Sequence, residues 1–421
     1  MAVEEKTIYV YDDFSFSSPV LLGKLYVGVI KGGETYSFEF ERDWLKKSRL
    51  SILLDPELQP YAGRQFPVGN NIFGLFADAS PDRWGRILMN KRERILAGKE
   101  DRKPRKLYDI DYLLGVYDET RMGGIRLKTD LAGEFLSDDK ETSVPPWTQL
   151  RTLEEASRNF EKDEHGVTDR WLNQLIRPGS SLGGARPKAT VADTYGKLWI
   201  AKFPAKNDEN DTGAWEKVVH DLANMCGLNV PESKLEKFSK QGSTFLVKRF
   251  DRDGKKRIHF ASAMTLLGKT DGVSSKDGIG YLDIAGFIKS NGARPKSDLI
   301  ELWKRIVFNM AVTNTDDHLR NHAFILEKAG WVLSPLYDVN PVPYGDELSL
   351  LVDETDNAIS IELALNTASR FGITDINAEK MAKEILDIVN ANWEMLAKKY
   401  GISRGQIEDM RPAFNIKKTL H

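Results

Sequence analysis

Hydrophobic and polar positions change rhythm twice along the chain. Residues 7 to 40 hold three runs rich in β-branched and aromatic side chains, "TIYVYDD", "KLYVGVI" and "ETYSFEF". Such runs predict strands, and "KGGE" between the last two predicts a turn. A helical pattern follows at "SPDRWGRILMNKRERIL", where Ser80 can cap the helix, Pro81 suits its first turn and Asp82 complements its dipole. The charged "AGKEDRKPRK" and the polar "SDDKETSVPP" punctuate the chain up to Pro146, and a domain boundary is expected near the second.

From about residue 150 the pattern alternates. A helix predicted at "GVTDRWLNQLI" leads into the loop "RPGSSLGGARPKA". Two strands follow, "TVAD" and "KLWIAKFP", joined by the turn "TYGK", and then a polar connection, "AKNDENDTG". The helix "AWEKVVHDLANMCGL" and the strand "STFLVKRFDR" come next. Past residue 297 the chain reads mostly helical, through "LIELWKRIVFNMAV" and "AEKMAKEILDIVNANWEMLAKKY", with no internal repeat. The segment "GKTDGVSSKDGIG", residues 268 to 280, reads as a mobile loop.

Composition narrows the function classes. A chain of 421 residues is long enough for two or three domains with respectable cores. Lys plus Arg at 60 nearly cancels Asp plus Glu at 62, so no global positive field announces a nucleic-acid binder. The single cysteine, Cys226, rules out a disulfide framework and reads as a small core residue on a helical stripe. The N-terminus starts acidic without a long apolar region, and no apolar run approaches the roughly 18 residues that cross a bilayer. A soluble, cytoplasmic protein with no membrane partner is expected.

Candidate chemistry gathers at four places. In "SSLGGARPK", Gly183 and Gly184 let backbone N–H groups approach an anion without interference from a Cβ. Alone, the pattern is equally an ordinary glycine turn. Lys202 lies inside the apolar strand "LWIAKFP", where an ammonium needs an anionic partner, and Glu216 begins the next helix and could supply one. The plain alternatives are a snorkelling edge lysine and a first-turn acid. Glycine loop, strand lysine and helix glutamate, in that order, are the parts a kinase uses on ATP phosphates.

The fourth place is "NTDDHLRNHAFI", which crowds acids, amides, histidines and an arginine between two apolar stretches. Asp316 and Asn321 are separated by four residues, the D-x-x-x-x-N spacing of a kinase catalytic loop. There the aspartate takes the proton of the attacking hydroxyl and the asparagine holds magnesium. A second magnesium-binding aspartate should follow a short hairpin, and "FILEKAGWVLSPLYDVNP" offers Asp338. His318 and His322 form H-x-x-x-H, a zinc spacing on a helix, but Leu319 stands where a metalloprotease needs glutamate. His318 fits better as a brace of the loop, and His322 as a structural residue.

These motifs, with "VKRFDR" and "LSPLYDVNP", resemble HipA-type serine/threonine kinases, the toxins of bacterial toxin–antitoxin pairs. The N-terminal "LYVGVIKGGETYSFEFERDWL" and "FADASPDRWGRILM" are similar to the small domain that precedes the kinase core in that family. The resemblance implies an α+β fold with a small mixed α/β N-terminal domain at 1–140 and a two-lobed, protein-kinase-like core at 150–400. Its N-lobe would run over about 150–250 and its all-helical C-lobe over about 260–400, with an ATP cleft between them.

Carried over by residue, Asp316 would be the base, Asn321 and Asp338 the magnesium ligands, and Lys202 the phosphate-binding lysine. Lys248 and Phe250 would sit at the hinge beside adenine. Ser181 matches a loop serine that such kinases autophosphorylate, with Ser180 beside it as the alternative; the added charge of about −2 would fall where ATP phosphates sit. Lys248 departs from an acid found in some relatives, and Arg186-Pro187 also varies from some of their loops. Asp338-Val339-Asn340 is not D-F-G, so activation-loop logic does not transfer.

The implied reaction is transfer from Mg-ATP to a Ser or Thr hydroxyl of a protein, with a HipB-like DNA-binding antitoxin as partner and DNA met only through it. Two other readings stay open. A small-molecule phosphotransferase would use the same core, and a non-catalytic partner of the antitoxin would keep the fold without needing Asp316.

Overall fold

The computed structural model of the protein describes residues 5–30, 33–48, 53–68, 72–136, 144–162, 175, 184 and 186–415. The chain divides into two compact units. One comprises Met1–Lys206 with Lys248–Ala261 and Gly268–Thr270; the other comprises Asn207–Val247 with Ser262–Leu267 and Asp271–His421.

The first unit opens with the three strands read from the sequence: β1 (Glu5–Asp12), β2 (Val20–Ile30) and β3 (Gly33–Phe40). With β4 (Ile125–Lys128) they form an antiparallel sheet of order β3-β2-β1-β4. Ile8, Val10, Leu25, Val27, Phe38 and Phe40 are buried, as period-two alternation requires of a sheet with one face on a core. Helices α1 (Arg42–Lys47) and α2 (Gly74–Asp78) contribute Trp44 and Phe76 to it.

The helix expected from Ser80 begins later, as α3 (Arg83–Lys99). Its cap is Asp82, whose carboxylate accepts from Gly85 N at 2.9 Å. Ser80 instead donates to Phe76 O at 2.8 Å, completing the preceding turn. A short helix, α4 (Asp109–Leu114), and α5 (Leu150–Lys162) follow. Then come β5 (Lys188–Ala192) and β6 (Leu198–Lys202), antiparallel as expected, with Gly196 at φ +74° in their turn. The helix expected at 166–176 falls almost wholly outside the described residues.

The "KRFDR" stretch is cemented into this unit by buried charges. Asp251 accepts from Gly123 N at 2.9 Å, from Arg249 at 2.6 Å and from Arg252 at 2.6 Å. Burial alone would push its carboxyl up, but the guanidinium groups of Arg249 and Arg252 hold it well below the carboxylate range. Arg257 and Arg126 converge on Asp118 at 3.0 and 2.6 Å. The fully buried Arg121 donates to the carbonyls of Ala79, Leu113 and Val116. Its own carbonyl accepts from Arg252 at 2.7 Å.

The second unit starts with α6 (Thr212–Met225), capped by Asp211, which also accepts from Ser243 N at 2.8 Å. A Cβ at Gly213 would lie 2.1 Å from Ser243 O, so only glycine lets helix and chain approach there. Strands β7 (Ser233–Glu236) and β8 (Thr244–Lys248) pair antiparallel. Cys226 is buried and its thiol is pushed up to about 12 by burial, an inert core residue as expected.

Beyond it lie α7 (Ala263–Leu266), α8 (Tyr281–Asn291), α9 (Pro295–Ala311), α10 (Ile361–Thr367), α11 (Asp375–Lys399) and α12 (Arg404–Met410). Helix α11 packs on α6 and α9. Trp393 stacks on Phe414 with centroids 4.6 Å apart.

The expectation of an all-helical region from about 260 to 400 needs correction, while the short hairpin expected ahead of Asp338 is present. Between α9 and α10 the chain forms an antiparallel hairpin, Ala323–Glu327 with Gly330–Leu333. Aromatic and β-branched side chains favour extended backbone here, and Gly330 takes φ +142° at the turn. Residues 268–280 are likewise held more firmly than a mobile loop. Ser274 and Asp277 form a capping box, Ser275 N donates to Ser349 O at 2.8 Å, and Asn357 donates to Ser275 Oγ at 3.1 Å.

Replacing Asp251 with alanine leaves two buried guanidinium groups without their shared acceptor. We expect a loss of about 3–5 kcal/mol in unfolding free energy by denaturant titration. A loss under about 1 kcal/mol would mean that the cluster is not what holds this segment.

Candidate active site

The polar loop after α9 is organised around Asp317, the residue beside the proposed base. Its carboxylate is 1% exposed and one oxygen, Oδ2, accepts from Tyr281 OH at 2.6 Å and Asn309 Nδ2 at 2.6 Å. The same oxygen meets His322 Nε2 at 2.8 Å. Burial pushes this carboxyl up, yet the charge and hydrogen bond of His322 and the hydroxyl of Tyr281 hold it below its ordinary value. The ring of His322 stands edge-on to that of Tyr281 at 5.6 Å. The backbone closes the clasp, with Ala263 N donating to His322 O at 2.8 Å.

With Asp317 turned inward, Asp316 turns outward; its side chain is 84% exposed. Surrounding protein removes part of its hydration and raises its pKa, His318 opposes the rise, and the nearby carboxylates of Asp338 and Asp317 add to it. His318 Nε2 stands 4.0 Å from Asp316 Oδ1. His318 begins the tight turn Leu319–Asn321, and Asn321 N donates to its carbonyl at 2.8 Å. His318 and His322 therefore flank a single turn and share no helix face, and His322 is spent on Asp317.

Asn321 is 3% exposed and donates from Nδ2 to the Asp316 carbonyl at 2.8 Å. Its Oδ1 is then the atom left for a cation. Asp338 is half-buried with φ +59°, and Thr313, before the loop, has φ +51°. Left-handed backbone is uncommon at aspartate and unusual at a β-branched residue, so the surroundings must impose it. Thr313 Oγ1 donates to Ala413 O at 2.8 Å, and its carbonyl accepts from Val342 N at 3.1 Å. Tyr337, next to Asp338, donates to Arg320 O at 2.6 Å and so ties the two acidic loops together. Asn340 Oδ1 is buried with no hydrogen-bond partner among the described residues. Oxygen donors of this kind suit a hard cation such as magnesium.

The other expected site residues have these positions. In the first unit, Lys202 ends β6 and is 6% exposed. Lys248 and Phe250 are half-buried, with Phe250 6.2 Å from the ring of Phe260. Arg249 and Asp251, alternating with them, go into the buried cluster. Gly184 is exposed and its carbonyl accepts from Lys188 at 2.9 Å. Ser180, Ser181 and Gly183 lie outside the described residues. In the second unit, Glu216 is 4% exposed and sits past the first turn of α6, while Asp211 does the capping, so it is not a first-turn dipole acid.

Sequence reasoning missed the supports. Asp317, Asn309 and Tyr281 hold the loop from behind. Arg305, 1% exposed, donates to Ser334 O at 2.7 Å, and Asp298 accepts from Leu333 N at 3.0 Å, fixing the hairpin that leads to Asp338. One signal was available: in an Asp-Asp doublet, neighbouring side chains diverge, so one can be buried while the other is offered.

A mixed α/β protein with an outward acid, an inward acid and an amide on one tight loop is thus defined. The family model described as the HipA-like C-terminal domain matches residues 180–393, just over half of the chain. The chain belongs to that HipA-type family. A Sinorhizobium fredii protein named "Putative kinase Y4mE" is 28% identical over 213 residues, 48% of this chain and 43% of that protein. A Haemophilus influenzae protein named "Putative kinase" is 31% identical over 151 residues, 31% of this chain and 44% of that one. The chain thus spans about half the length of the curated relatives it matches. A chain from the Shewanella oneidensis MR-1 toxin–antitoxin complex of HipA, HipB and operator DNA shares the fold, with a TM-score of 0.67. That match covers 97% of this chain and 95% of the other at 16% identity. Among the described residues no helix is long and apolar enough to cross a membrane.

A carboxylate held below its ordinary pKa stabilises the fold above the unfolded value, about 4, and that contribution is lost as pH falls through the folded value. In His322→Gln the largest offset to the burial of Asp317 is lost, so its folded pKa rises. Acid unfolding, followed by circular dichroism, should begin at higher pH than in the wild type. Stability at neutral pH should fall by about 1–3 kcal/mol. An unchanged acid limb would show that His322 does not govern Asp317.

Proposed function

We propose that this protein is an ATP- and magnesium-dependent serine/threonine protein kinase of HipA type and the toxin of a toxin–antitoxin pair. One observation carries the reading. The loop offers the carboxylate of Asp316 to solvent while Asp317 anchors it from beneath, with Asn321 and Asp338 beside it.

In this reading Asp316 accepts the proton of a protein Ser or Thr hydroxyl as its oxygen bonds to the γ-phosphorus and the bond to ADP breaks. Asn321 Oδ1 and Asp338 would hold magnesium, which neutralises charge on the phosphates. Lys202 and Glu216 serve the α- and β-phosphates, and Lys248 and Phe250 border adenine. The glycine loop with Gly183 and Gly184 covers the phosphates, and phosphorylation of Ser181, or of Ser180, silences the enzyme by repelling ATP. The catalytic core is taken as 150–400, with 1–140 as the N-terminal domain. A HipB-like antitoxin is the partner, supported by the whole-chain likeness to the Shewanella complex, and DNA is met through it. The protein acts in the cytoplasm.

Phosphate transfer from labelled ATP into lysate proteins tests the reading. Asp316→Asn should keep ATP affinity and lower transfer by about 100- to 10,000-fold; near wild-type transfer would remove Asp316 from the mechanism. Asp338→Ala should weaken nucleotide binding in magnesium but not in EDTA, as read by calorimetry. Equal losses in both buffers would contradict the metal role. Mass spectrometry after incubation with Mg-ATP should place phosphate on Ser181 or Ser180, and Ser181→Ala should stay active where the wild type fades. No phosphate on either serine, with undiminished activity over time, would leave the loop as a plain nucleotide clamp.

A further inference from the structure

Lys188, the lysine of "GGARPK", is the first residue of β5, and its side chain is 2% exposed. A buried ammonium is tolerated only where acceptors surround it. Two do so here. Asp82 Oδ2 lies 2.8 Å from Nζ, and the carbonyl of Gly184 lies 2.9 Å from it. Asp82 is itself 1% exposed and serves two purposes, because its other oxygen caps α3 through Gly85 N. Trp84, two residues on, donates from Nε1 to the Lys188 carbonyl at 3.1 Å. The start of α3 thus grips both the side chain and the backbone of Lys188.

The register adds an electrostatic reason. In the β5–β6 pair Lys188 stands directly opposite Lys202. Directly opposed residues of antiparallel strands share a face with Cβ atoms about 5 Å apart, and like charges there are destabilising. Asp82 supplies the counter-charge that lets Lys188 sit across from Lys202. Phe203 N donates to Pro187 O at 2.9 Å, carrying the ladder past Lys188 toward the loop.

We propose that Asp82 and Lys188 are positioning residues for the nucleotide loop, through which α3 sets where the C-terminal stem of that loop stands. Holding the Gly184 carbonyl against the Lys188 ammonium, itself fixed by Asp82, ties the chain at Gly184 to the start of β5 and α3. The inference rests on reading residues 180–188 as the phosphate-binding loop.

Substitutions at Asp82 and Lys188 test it. Asp82→Ser keeps a capping oxygen for α3 but strands the Lys188 ammonium, and should melt roughly 10 °C lower. Adding Lys188→Met removes the stranded charge and should recover most of that loss. The double variant should still exchange amide hydrogens in residues 181–188 at least about fivefold faster without nucleotide, with α6 unchanged. Its KM for ATP should rise about tenfold with kcat nearly constant, and Lys188→Arg alone should stay close to wild type. Unchanged exchange over 181–188 in the stable double variant would overturn the proposal. So would faster exchange with an unchanged KM, which would leave the pair as a structural tie. A wild-type protein that neither binds ATP nor transfers phosphate would defeat the kinase reading, and the exchange rates alone would then decide whether the tether exists.

Discussion

A buried carboxylate with three donors on one oxygen is the constraint from which the candidate site follows. Removing a charge such as that of Asp317 from water is unfavourable by several kcal/mol unless hydrogen bonds replace the lost hydration. Tyr281, Asn309 and His322 do so from three parts of the second unit: helix α8, helix α9 and the strand-leading end of the loop itself. Because these donors lie on separate elements, the loop cannot shift without breaking more than one bond. Its outward neighbour inherits that rigidity. Asp316 is an exposed side chain on a backbone that is not free to move, as a positioned base has to be.

The same logic explains the left-handed residues. Thr313 and Asp338 adopt backbone that most residues avoid, and each sits where the chain turns sharply into or out of an acidic loop. The strain is tolerated because neighbouring hydrogen bonds, from Thr313 to Ala413 O, from Val342 N to Thr313 O and from Tyr337 to Arg320 O, over-determine the local path. In the first unit a comparable role falls to Asp251, which collects Arg249, Arg252 and the backbone of Gly123. Buried ion pairs in both units hold the segments that display candidate site residues.

Much of this was legible in one dimension. The strands of the first sheet, the β5–β6 pair and α6 follow from hydrophobic period and turn residues, because those elements are specified by local pattern. The order of glycine loop, Lys202, Glu216, Asp316, Asn321 and Asp338 was legible because each belongs to a short motif. The partners were not. Nothing in "TDDH" says which aspartate is buried, since that depends on Tyr281 and Asn309 arriving from elsewhere in the chain. Asp82 read as a dipole acid, and its longer-range bond to Lys188 had no sequence signal. The short hairpin before Asp338 was legible in its turn and its apolar flanks, but the pinned 268–280 segment was misjudged, because non-local hydrogen bonds, not composition, decide it.

The central claim is that Asp317 matters to chemistry only by holding Asp316. A double-mutant cycle on phosphoryl transfer tests this most directly. Asp317→Asn in the wild-type background should lower the rate about 10- to 100-fold, through mispositioning of the base. In the Asp316→Asn background the same substitution should change the residual rate by less than about twofold, because there is no longer a base to misplace. Equal losses in both backgrounds would contradict the account, and would mean that Asp317 acts on the reaction by a route independent of Asp316.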